Sequence, residues 1–335
     1  MAEKNVNVAI NGFGRIGRNA FKIAMEKENI TIVAINDLTD NATLAHLLTY
    51  DTVYGKYDKS VEVTDEGFKR DGKEIPVLSE KDPGKLPWKD LNVDVVIEST
   101  GVFRTEEKAQ PHIDAGAKNV IISAPGKGGN VGTFVRGVNS EDAKDASSNI
   151  HSNASCTTNC IAPVMNILHS SFGVKKAMMT TIHGYTADQS LQDGPHKDLR
   201  RARAAAVNII PTTTGAAIAT TETIPDLKDK FDGMAIRVPV PVVSISDITL
   251  ILDKETSAEE VNEVFAKASK NVLYDGILDV TEEPLVSADF IKNAHSAIID
   301  VSLTKVVDGD MVKVIAWYDN EWGYSNRLIE FVAEV

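Results

Sequence analysis

The chain of 335 residues contains very little cysteine. Its only two cysteines, Cys156 and Cys160, lie four positions apart. A disulfide-stabilised secreted fold needs an even set of cysteines spread along the chain, so this pair predicts a protein without structural disulfides in a reducing compartment. No second Cys/His cluster lies near the pair to complete a zinc-like shell, and we therefore expect no metal site.

Long hydrophobic runs are also lacking. No apolar stretch approaches the roughly 20 residues of a membrane-spanning helix. Residues 1–5 lead directly into a strand pattern, without the basic and apolar regions of a signal peptide. We expect a cytoplasmic protein with no membrane partner.

Basic residues are in the minority. Lys and Arg total 35 against 48 for Asp and Glu, giving a formal charge of -13. This charge opposes non-specific attraction to phosphate backbones, so nucleic acid is not expected as the main partner. An anionic substrate needs a local basic pocket. With 43% hydrophobic residues, the chain is long enough for two domains with a large core.

A glycine turn near the N-terminus connects a predicted strand to a predicted helix. The strand pattern of residues 6–10 runs into Gly12, Gly14 and Gly17, and a helical pattern follows. Glycines in this order permit a tight turn, close approach of backbone to a pyrophosphate, and close packing of the helix on the strand. The pattern favours a Rossmann-type dinucleotide-binding domain.

A second strand pattern over residues 30–35 strengthens this interpretation. It ends at Asp37, twenty residues after Gly17, where a carboxylate can bind the ribose hydroxyls of the adenosine. No Arg or Lys follows in residues 38–41, so a 2′-phosphate would meet carboxylates. NAD is therefore preferred to NADP as the cofactor.

Two further strands, over residues 93–99 and 119–123, complete a parallel sheet with a helix over residues 106–115 between them. Ligands bind beyond the carboxyl ends of such strands. Ser99, Thr100 and Ser123 are therefore expected to line the cofactor crevice.

Cys156 stands at the start of a helical pattern that follows Ser155. Near the first turn of a helix, unpaired N–H groups and the helix dipole favour a thiolate. This position makes Cys156 a candidate nucleophile, although a free cysteine is more often a small buried hydrophobe. Cys160 is expected to be core.

The second half of the chain predicts a mixed or antiparallel sheet. Strand patterns cover residues 177–186, 234–243, 246–253, 297–303 and 311–318, with a helix over residues 258–269. Among seven histidines, His183 has the best position for a base, at the tip of a strand and beside a glycine. The cationic segment of residues 196–203 fits an anion pocket, a subunit contact or a solvated helix face.

Five segments together resemble phosphorylating glyceraldehyde-3-phosphate dehydrogenases. The resemblance spans the whole chain, and its motifs are residues 11–18, 155–160, 199–206, 211–216 and 317–324. It implies an α/β protein with a Rossmann-type NAD-binding domain over residues 1–154, to which a C-terminal helix at about 322–335 returns. The α+β catalytic and oligomerisation domain would cover residues 155–321.

The resemblance also implies a reaction and the roles of residues. Cys156 would attack the aldehyde of D-glyceraldehyde 3-phosphate, and His183 would pair with its thiol and accept the hydroxyl proton. NAD would take the hydride, and inorganic phosphate would release 1,3-bisphosphoglycerate from a thioester. The implied cofactor contacts are Gly12, Gly14, Arg15, Ile16, Gly17, Asp37, Lys81, Ser123 and Asn320. The implied phosphate contacts are Thr186 and Arg237 for the substrate, and Ser155, Thr157, Arg201, Thr214 and Gly215 for inorganic phosphate.

Several alternatives remain open at this point. The family is usually tetrameric, and we expect a homotetramer. Erythrose-4-phosphate dehydrogenase is a sister activity with nearly the same residues, and a non-catalytic NAD- or RNA-binding role would keep the same fold. Gly194-Pro195 stands where strictly NAD-dependent members carry a bulkier Leu-Pro pair, so the preference for NAD rests mainly on Asp37.

Overall fold

The computed structural model describes residues 5–70 and 72–335. Residues 1–4, on which the signal-peptide argument partly rests, lie outside the described residues. Seven α-helices lie in the described part: α1 (Arg15–Ala24), α2 (Asn41–Thr49), α3 (Glu106–Asp114), α4 (Cys156–Phe172), α5 (Ala216–Thr223), α6 (Ala258–Ala268) and α7 (Trp322–Val332).

The first sheet belongs to the N-terminal half. Its strands in chain order are β1 (Val6–Asn11) and β2 (Ile30–Asn36), then, after a separate hairpin of β3 (Tyr50–Asp51) and β4 (Gly55–Lys56), β5 (Glu62–Val63), β6 (Gly67–Arg70), β7 (Lys73–Leu78), β8 (Val95–Glu98), β9 (Asn119–Ile122), β10 (Gly132–Thr133) and β11 (Ile150–Ser152). Their spatial order is β10-β11-β9-β8-β1-β2-β7-β6-β5. The predicted parallel core is confirmed, since β1 pairs in parallel with both β2 and β8.

The antiparallel strands β5 and β6 were not predicted. They pair with each other and with β7 at one edge of the parallel sheet. Both residues of β5 are exposed, and Phe68 is the one large apolar side chain of β6, so the segment lacks the apolar run that predicts a buried strand.

The second sheet contains β12 (Val174–Gly184), β13 (Ile210–Thr213), β14 (Phe231–Val238), β15 (Ser244–Leu252), β16 (Leu278–Thr281), β17 (Ala297–Asp300), β18 (Lys305–Val307) and β19 (Met311–Tyr318). Seven of these lie in the order β13-β14-β12-β15-β19-β17-β16, and β18 pairs with β19. The β12–β14 and β16–β17 pairs are parallel and the other pairs are antiparallel. The predicted mixed sheet is therefore confirmed.

Two predicted strands end earlier than expected. The strand predicted over residues 297–303 ends at Asp300, and the other strand differs at both ends. Residues 234–243 were expected to form a single strand, but β14 begins at Phe231 and ends at Val238. Pro239 and Pro241 have no N–H to donate to a neighbouring strand, which explains the early end. Val243 then adopts φ of 70°, an uncommon value for a β-branched residue, directly before β15.

The core of the second half lies between this sheet and its helices. The apolar side of α4, including Ile161, Val164 and Leu168, packs with residues of β15 and β19 such as Ile248 and Val314. All five of these side chains are buried. Burial of apolar surface stabilises a fold by roughly 25 cal/mol per Å², so these contacts hold α4 on the sheet.

The chain divides into two compact units. The first runs to Phe134, resumes over Ser140–Ala154 and includes Ser325–Val335. The second consists of Val135–Asn139 and Ser155–Tyr324. Helix α7 thus begins in one unit and continues into the other. Across the described residues, no helix is both long and apolar enough to cross a membrane.

Candidate active site

Cys156 is the first residue of α4. Ser155 caps this helix, because its Oγ accepts a hydrogen bond from the Thr158 N–H at 3.0 Å. The preceding residue, Ala154, is fully buried with φ of 54°, so the chain turns sharply into the cap. Cys156 is half-buried, and Cys160 one turn later is fully buried, as predicted.

His183 lies beside the Cys156 thiol. Its Nε2 is 3.5 Å from Cys156 Sγ, within the range of a hydrogen bond to sulfur. The ring is held by β12 near the carboxyl end of that strand and is 3% exposed. Burial and the charges of Arg237 and Arg201 lower the pKa of His183 to about 3, so the imidazole is neutral at physiological pH. A neutral imidazole has a lone pair with which it can accept a proton.

The position at the helix N-terminus is not the only influence on the pKa of Cys156. Burial raises the pKa of the Cys156 thiol, while the charge of Arg237 and hydrogen bonds from Thr157 act in the opposite direction. The net direction is upward, contrary to the expectation from the helix end. Burial therefore opposes loss of the thiol proton.

Arg237 reaches the same place from the adjacent strand. In the parallel register of β12 and β14, His183 and Arg237 are direct partners. Arg237 Nη1 lies 2.7 Å from His183 Nδ1 and donates to the Gly184 carbonyl at 3.0 Å. The site thus combines a thiol, a neutral imidazole and a guanidinium.

A buried tyrosine supports the thiol region from β19. The Tyr318 hydroxyl contacts Thr157 Oγ1 at 2.9 Å and Thr181 Oγ1 at 2.8 Å. Its ring also packs edge-on against His183, with centroids 6.1 Å apart. Thr157 Oγ1 is 4.0 Å from Cys156 Sγ, so Tyr318 fixes both a neighbour of the thiol and the face of the imidazole.

Arg201 and Thr214 lie in one cluster. Arg201 pairs with Asp188 and Asp198, and its Nη2 donates to the Thr213 carbonyl at 3.1 Å. Thr214 and Gly215 follow directly and form the N-terminus of α5, where Thr214 Oγ1 accepts from the Ala216 N–H. The cluster combines one guanidinium with a helix N-terminus, both of which favour anions. Thr186 is half-buried just after β12, and its N–H donates to Gln189.

The glycine turn of the first unit lines a cavity of about 440 Å³. Gly12 has φ of 94°, and a Cβ there would lie 2.7 Å from the Thr100 nitrogen. A Cβ on Gly17 would lie 2.2 Å from the Gly12 carbonyl oxygen, so α1 packs closely on the turn. A Cβ on Gly14, at the N-cap of α1, would meet only open space. The turn thus leaves room for a phosphate group at the helix N-terminus.

Asp37 lies at the end of β2 on the same cavity. Its two carboxylate oxygens accept from the Phe13 N–H at 2.7 Å and the Thr39 N–H at 2.9 Å. Both oxygens retain lone pairs that can accept from ribose hydroxyls. Asp37 is fixed in orientation by the turn that it faces.

Only some of the other predicted cofactor residues line this cavity. Lys81 lines the cavity, as do Ser99 and Thr100. Arg15, next to half-buried Ile16, pairs with Asp51 at 3.1 Å. Ser123 follows β9, and its N–H donates to the Glu98 carbonyl. Ser123 does not line the cavity.

Asn320 belongs to the second unit and is held by a residue that sequence reasoning missed. Ser244 Oγ donates to Asn320 Oδ1 at 2.9 Å and accepts from the Gly184 N–H at 3.2 Å. Ser244 thereby connects Asn320 to the end of the strand that holds His183. No motif marks Ser244 in the sequence; its one unusual feature, the φ of Val243 before it, is visible only in the structure.

Comparisons with known proteins match these features over most of the chain. Residues 6–106 match the profile described as glyceraldehyde 3-phosphate dehydrogenase, NAD binding domain, and residues 155–320 match the profile of its C-terminal domain. Glyceraldehyde-3-phosphate dehydrogenase 2 of Bacillus subtilis is 52% identical over 331 residues, which cover 98% of this chain and 96% of that protein. The chain belongs to the glyceraldehyde-3-phosphate dehydrogenase family.

Two further members of the family are similar over nearly the same length. The glyceraldehyde-3-phosphate dehydrogenases of Geobacillus stearothermophilus and Streptomyces coelicolor are both 52% identical, over 98% of this chain and 98% of each relative. The family resemblance deduced from the sequence is confirmed, and the first domain is an NAD-binding domain. Within the described residues, no three His, Cys, Asp or Glu side chains form a group that could hold a metal ion.

Proposed function

We propose that the protein converts D-glyceraldehyde 3-phosphate, NAD and inorganic phosphate into 1,3-bisphosphoglycerate and NADH. The observation that supports this proposal most directly is the 3.5 Å contact between Cys156 Sγ and His183 Nε2. In a chain of this family, it joins a nucleophile to a neutral base beside a cationic group.

The first chemical step is attack of Cys156 on the aldehyde carbon. As the sulfur forms its bond to carbon, the thiol proton passes to His183 Nε2 and from there to the new alkoxide. The product is a thiohemiacetal on Cys156. Burial raises the pKa of the thiol and lowers the pKa of His183, so it favours the uncharged form of each group before attack.

The second step oxidises this adduct. His183 Nε2 takes the proton of the thiohemiacetal hydroxyl while a hydride leaves the carbon that carries this hydroxyl. A thioester remains on Cys156. NAD, when bound, supplies the acceptor for that hydride. Inorganic phosphate then attacks the thioester carbon, the Cys156 thiolate leaves, and the proton on His183 returns to sulfur. The thioester preserves the energy of oxidation until phosphate attacks.

Two groups of residues would hold the two phosphates. Arg237, beside His183, and Thr186 would bind the phosphate of the substrate. Arginine suits this role because its planar guanidinium can hold two phosphate oxygens at once. The residues proposed for inorganic phosphate are Ser155, Thr157, Arg201, Thr214 and Gly215.

The residues of the cavity in the first unit fit NAD. The open space at Gly14 and the N-terminus of α1 suit the pyrophosphate, and Asp37 suits the ribose hydroxyls. The further cofactor contacts proposed are Gly12, Arg15, Ile16, Gly17, Lys81 and Ser123. Asn320, whose Oδ1 is fixed by Ser244, is proposed to bind the nicotinamide carboxamide.

Preference for NAD over NADP is attributed to Asp37. Its carboxylate would repel a 2′-phosphate, and we expect Asp37→Ala to raise KM for NAD about tenfold, which corresponds to roughly 1.4 kcal/mol, with a smaller change for NADP. Steady-state kinetics with both cofactors measures this difference. An unchanged preference would assign selectivity to another group.

A homotetramer is the proposed assembly. On β12, the Met179 side chain is buried and faces the helices, whereas Met178 is 63% exposed on the opposite side. Met234 and Met311, on other strands of the same sheet, are 40% and 43% exposed. A sheet with apolar groups on its second side is suited to bury that side against another copy. Sedimentation of the protein and of Met178→Lys tests this, with smaller species expected for the variant.

The test of the activity is an assay with two aldehydes. NADH should form from glyceraldehyde 3-phosphate and inorganic phosphate, and faster than from erythrose 4-phosphate at equal concentration. A higher kcat/KM for erythrose 4-phosphate would make that the physiological substrate. The proposed location is the cytoplasm, where a free thiol such as Cys156 stays reduced; cell fractionation tests this.

A further inference from the structure

The side chain of Asn36 joins the end of β2 to the chain that follows β7. In the regular pairing of these two strands, Asn36 lies opposite Leu78. Beyond this pair, Asn36 Nδ2 donates to the Glu80 carbonyl at 2.9 Å, and Asn36 Oδ1 accepts from the Glu80 N–H at 2.9 Å. The side-chain amide therefore takes the place of a further strand residue and holds both backbone groups of Glu80.

The segment held in this way carries a proposed cofactor contact. Residues 79–82, all of them described, belong to no helix or strand and connect β7 to a short helical turn that begins at Pro83. Glu80 and Lys81 line the cavity of the first unit, and Lys81 is exposed. The two bonds from Asn36 thus fix the backbone directly before Lys81.

Asn36 is also part of a buried row of polar side chains across the sheet. Its Nδ2 donates to Asn11 Oδ1 at 2.6 Å, and Asn11 Nδ2 donates to Glu98 Oε2 at 2.5 Å. The three residues are register partners at the carboxyl ends of β2, β1 and β8, and each is at most 4% exposed. We call Asn36, Asn11 and Glu98 the polar row.

Glu98 fixes the direction of the hydrogen bonds in the polar row. An ionised carboxylate can only accept, so Asn11 turns its Nδ2 toward Glu98 and its Oδ1 toward Asn36. The other oxygen of Glu98 accepts from the Thr100 N–H at 2.9 Å. Thr100 follows β8 and Glu80 follows β7, and these strands lie on either side of the β1–β2 pair. The polar row therefore connects both sides of the cavity, and a satisfied buried network of this kind is rigid.

The hydrogen bonds of Asn36 leave it no donor for a ligand, although it lines the cavity. An amide side chain has two N–H donors, and those of Asn36 are directed to Asn11 and Glu80. Its oxygen accepts from the Glu80 N–H. These bonds suit a residue that fixes its neighbours rather than one that donates to a cofactor.

We propose that Asn36 is a positioning residue for the cofactor: it holds residues 80–81 at the edge of the cavity, so that Lys81 reaches the adenosine half of a bound dinucleotide. This inference rests on the proposed function, in which the cavity holds NAD and Lys81 contacts it. The carboxylate of Asp37 has a separate anchor, because the N–H groups of Phe13 and Thr39 orient it. Loss of Asn36 should therefore act through Lys81, weakening cofactor binding without slowing the chemical steps.

Equilibrium binding of ADP-ribose tests this role without turnover. ADP-ribose has the adenosine and both phosphates of NAD but no nicotinamide. For full-length Asn36→Ala, titration calorimetry should give a Kd about tenfold above that of the wild type, the size of effect expected when one charge-assisted hydrogen bond is lost. KM for NAD should rise in parallel, while kcat at saturating NAD stays within about twofold of the wild type.

Two variants distinguish positioning from a general structural effect. Asn7→Ala makes the same chemical change at the opposite end of β1, where Asn7 Nδ2 donates to the Asn92 carbonyl at 3.0 Å. Trp88→Phe removes the donor to His112, which contacts Glu98 at the far end of the polar row. Both variants should keep the Kd of the wild type for ADP-ribose. An equal rise in Kd in either one would overturn the proposal.

A double-mutant cycle tests whether Asn36 acts through Lys81. In a Lys81→Ala background, Asn36→Ala should raise the Kd for ADP-ribose by less than about threefold, because the contact that it positions is already absent. An undiminished increase would contradict the proposed route. Asn36→Thr repeats the cycle if the alanine variant folds poorly, since a single short hydroxyl cannot replace both bonds to Glu80.

Hydrogen exchange provides a readout on the protein without cofactor. Peptides that contain residues 79–82 should exchange faster in Asn36→Ala than in the wild type, because the Glu80 N–H loses its acceptor. An equal exchange rate would refute the anchoring of this segment. If no NADH forms from glyceraldehyde 3-phosphate, the proposed function is wrong, whereas an unchanged Kd for ADP-ribose in a folded Asn36 variant rejects only the role of Asn36.

Discussion

Two buried histidines show how differently one side chain is held in the two units. In the first unit, His112 Nδ1 accepts from the Trp88 indole N–H at 3.0 Å, and its Nε2 lies 3.2 Å from a Glu98 carboxylate oxygen. The indole can only donate and the carboxylate can only accept, so one tautomer satisfies both partners. In the second unit, the two partners of His183 Nδ1 require opposite tautomers.

The difference separates a structural histidine from the one that is proposed as the base. His112, Trp88 and Glu98 are each at most 1% exposed. Asn11, the residue before the glycine turn, also donates a hydrogen bond to Glu98. A satisfied network of this kind rigidifies its surroundings. His183 is buried to a similar degree, yet it faces a thiol and the guanidinium of Arg237. Burial alone therefore does not distinguish the two histidines; the compatibility of their partners does.

The largest expected effect concerns the thiol beside His183. Cys156→Ser should lower kcat by about 10³-fold or more, because a serine hydroxyl is a much weaker nucleophile at neutral pH. NADH formation from glyceraldehyde 3-phosphate and inorganic phosphate measures it. Cys160→Ala is the matched control, since this buried cysteine lies one helical turn away and should leave kcat close to that of the wild type. Full activity in Cys156→Ser would refute the mechanism.

Replacing His183 should separate rate from stability. His183→Asn removes the proposed base, and we expect kcat to fall by about 10²–10⁴-fold. The free energy of unfolding should change by less than about 1 kcal/mol, because the neutral wild-type ring can satisfy only one of the two partners of Nδ1. Urea unfolding and steady-state kinetics on one preparation give both quantities. A large loss of stability with a small fall in kcat would instead assign His183 a structural role.

Replacing His112 should have the opposite effect. His112→Asn leaves the Glu98 carboxylate and the Trp88 N–H without their buried partner, and we expect a loss of about 3 kcal/mol in the free energy of unfolding. The kcat of the folded fraction should remain near that of the wild type. Trp88→Phe removes only the indole donor and should cost about 1 kcal/mol.

A third buried histidine sharpens the comparison through pH. His151 packs against the rings of Phe134 and Phe331, and burial lowers its pKa to about 4. Because the unfolded chain binds this proton at about pH 6.5, the stability due to neutral His151 is complete above pH 6.5 and is lost as pH falls toward 4. The loss should approach about 3 kcal/mol.

Denaturant midpoints at pH 7.5 and pH 4.5 measure this loss. His151→Leu cannot titrate, so its midpoint should fall less between the two values than that of the wild type. If the denaturant midpoint fell equally in both proteins, groups other than His151 would dominate the loss of stability at low pH.

The sequence predicts the first unit well where structure is local. The order of strand, glycine turn and helix is encoded within residues 6–25, and the positive φ of Gly12 is what that spacing requires. The His112–Glu98 pair was not predicted. Fourteen residues separate these two side chains, and only the pairing of β8 with its neighbours and the packing of α3 bring them together.

In the second unit the residue types are predictable, but their convergence is not. The helix that begins at Cys156 follows from its apolar periodicity, and His183 stands near the end of a recognisable strand. Arg237 meets His183 only through the parallel register of β12 and β14, which joins strands more than forty residues apart. Periodicity within either strand carries no information about that register.

The path of α7 has a consequence for synthesis on the ribosome. Phe331 covers Phe134 and His151 in the first unit, yet Ser325–Val335 are translated after nearly all of the second unit. During translation, the rings of Phe134 and His151 therefore stay uncovered by Phe331 while some 170 residues of the second unit are synthesised. Binding of nucleotide to nascent chains stalled before residue 325 would reveal how much of the cofactor site assembles during that delay.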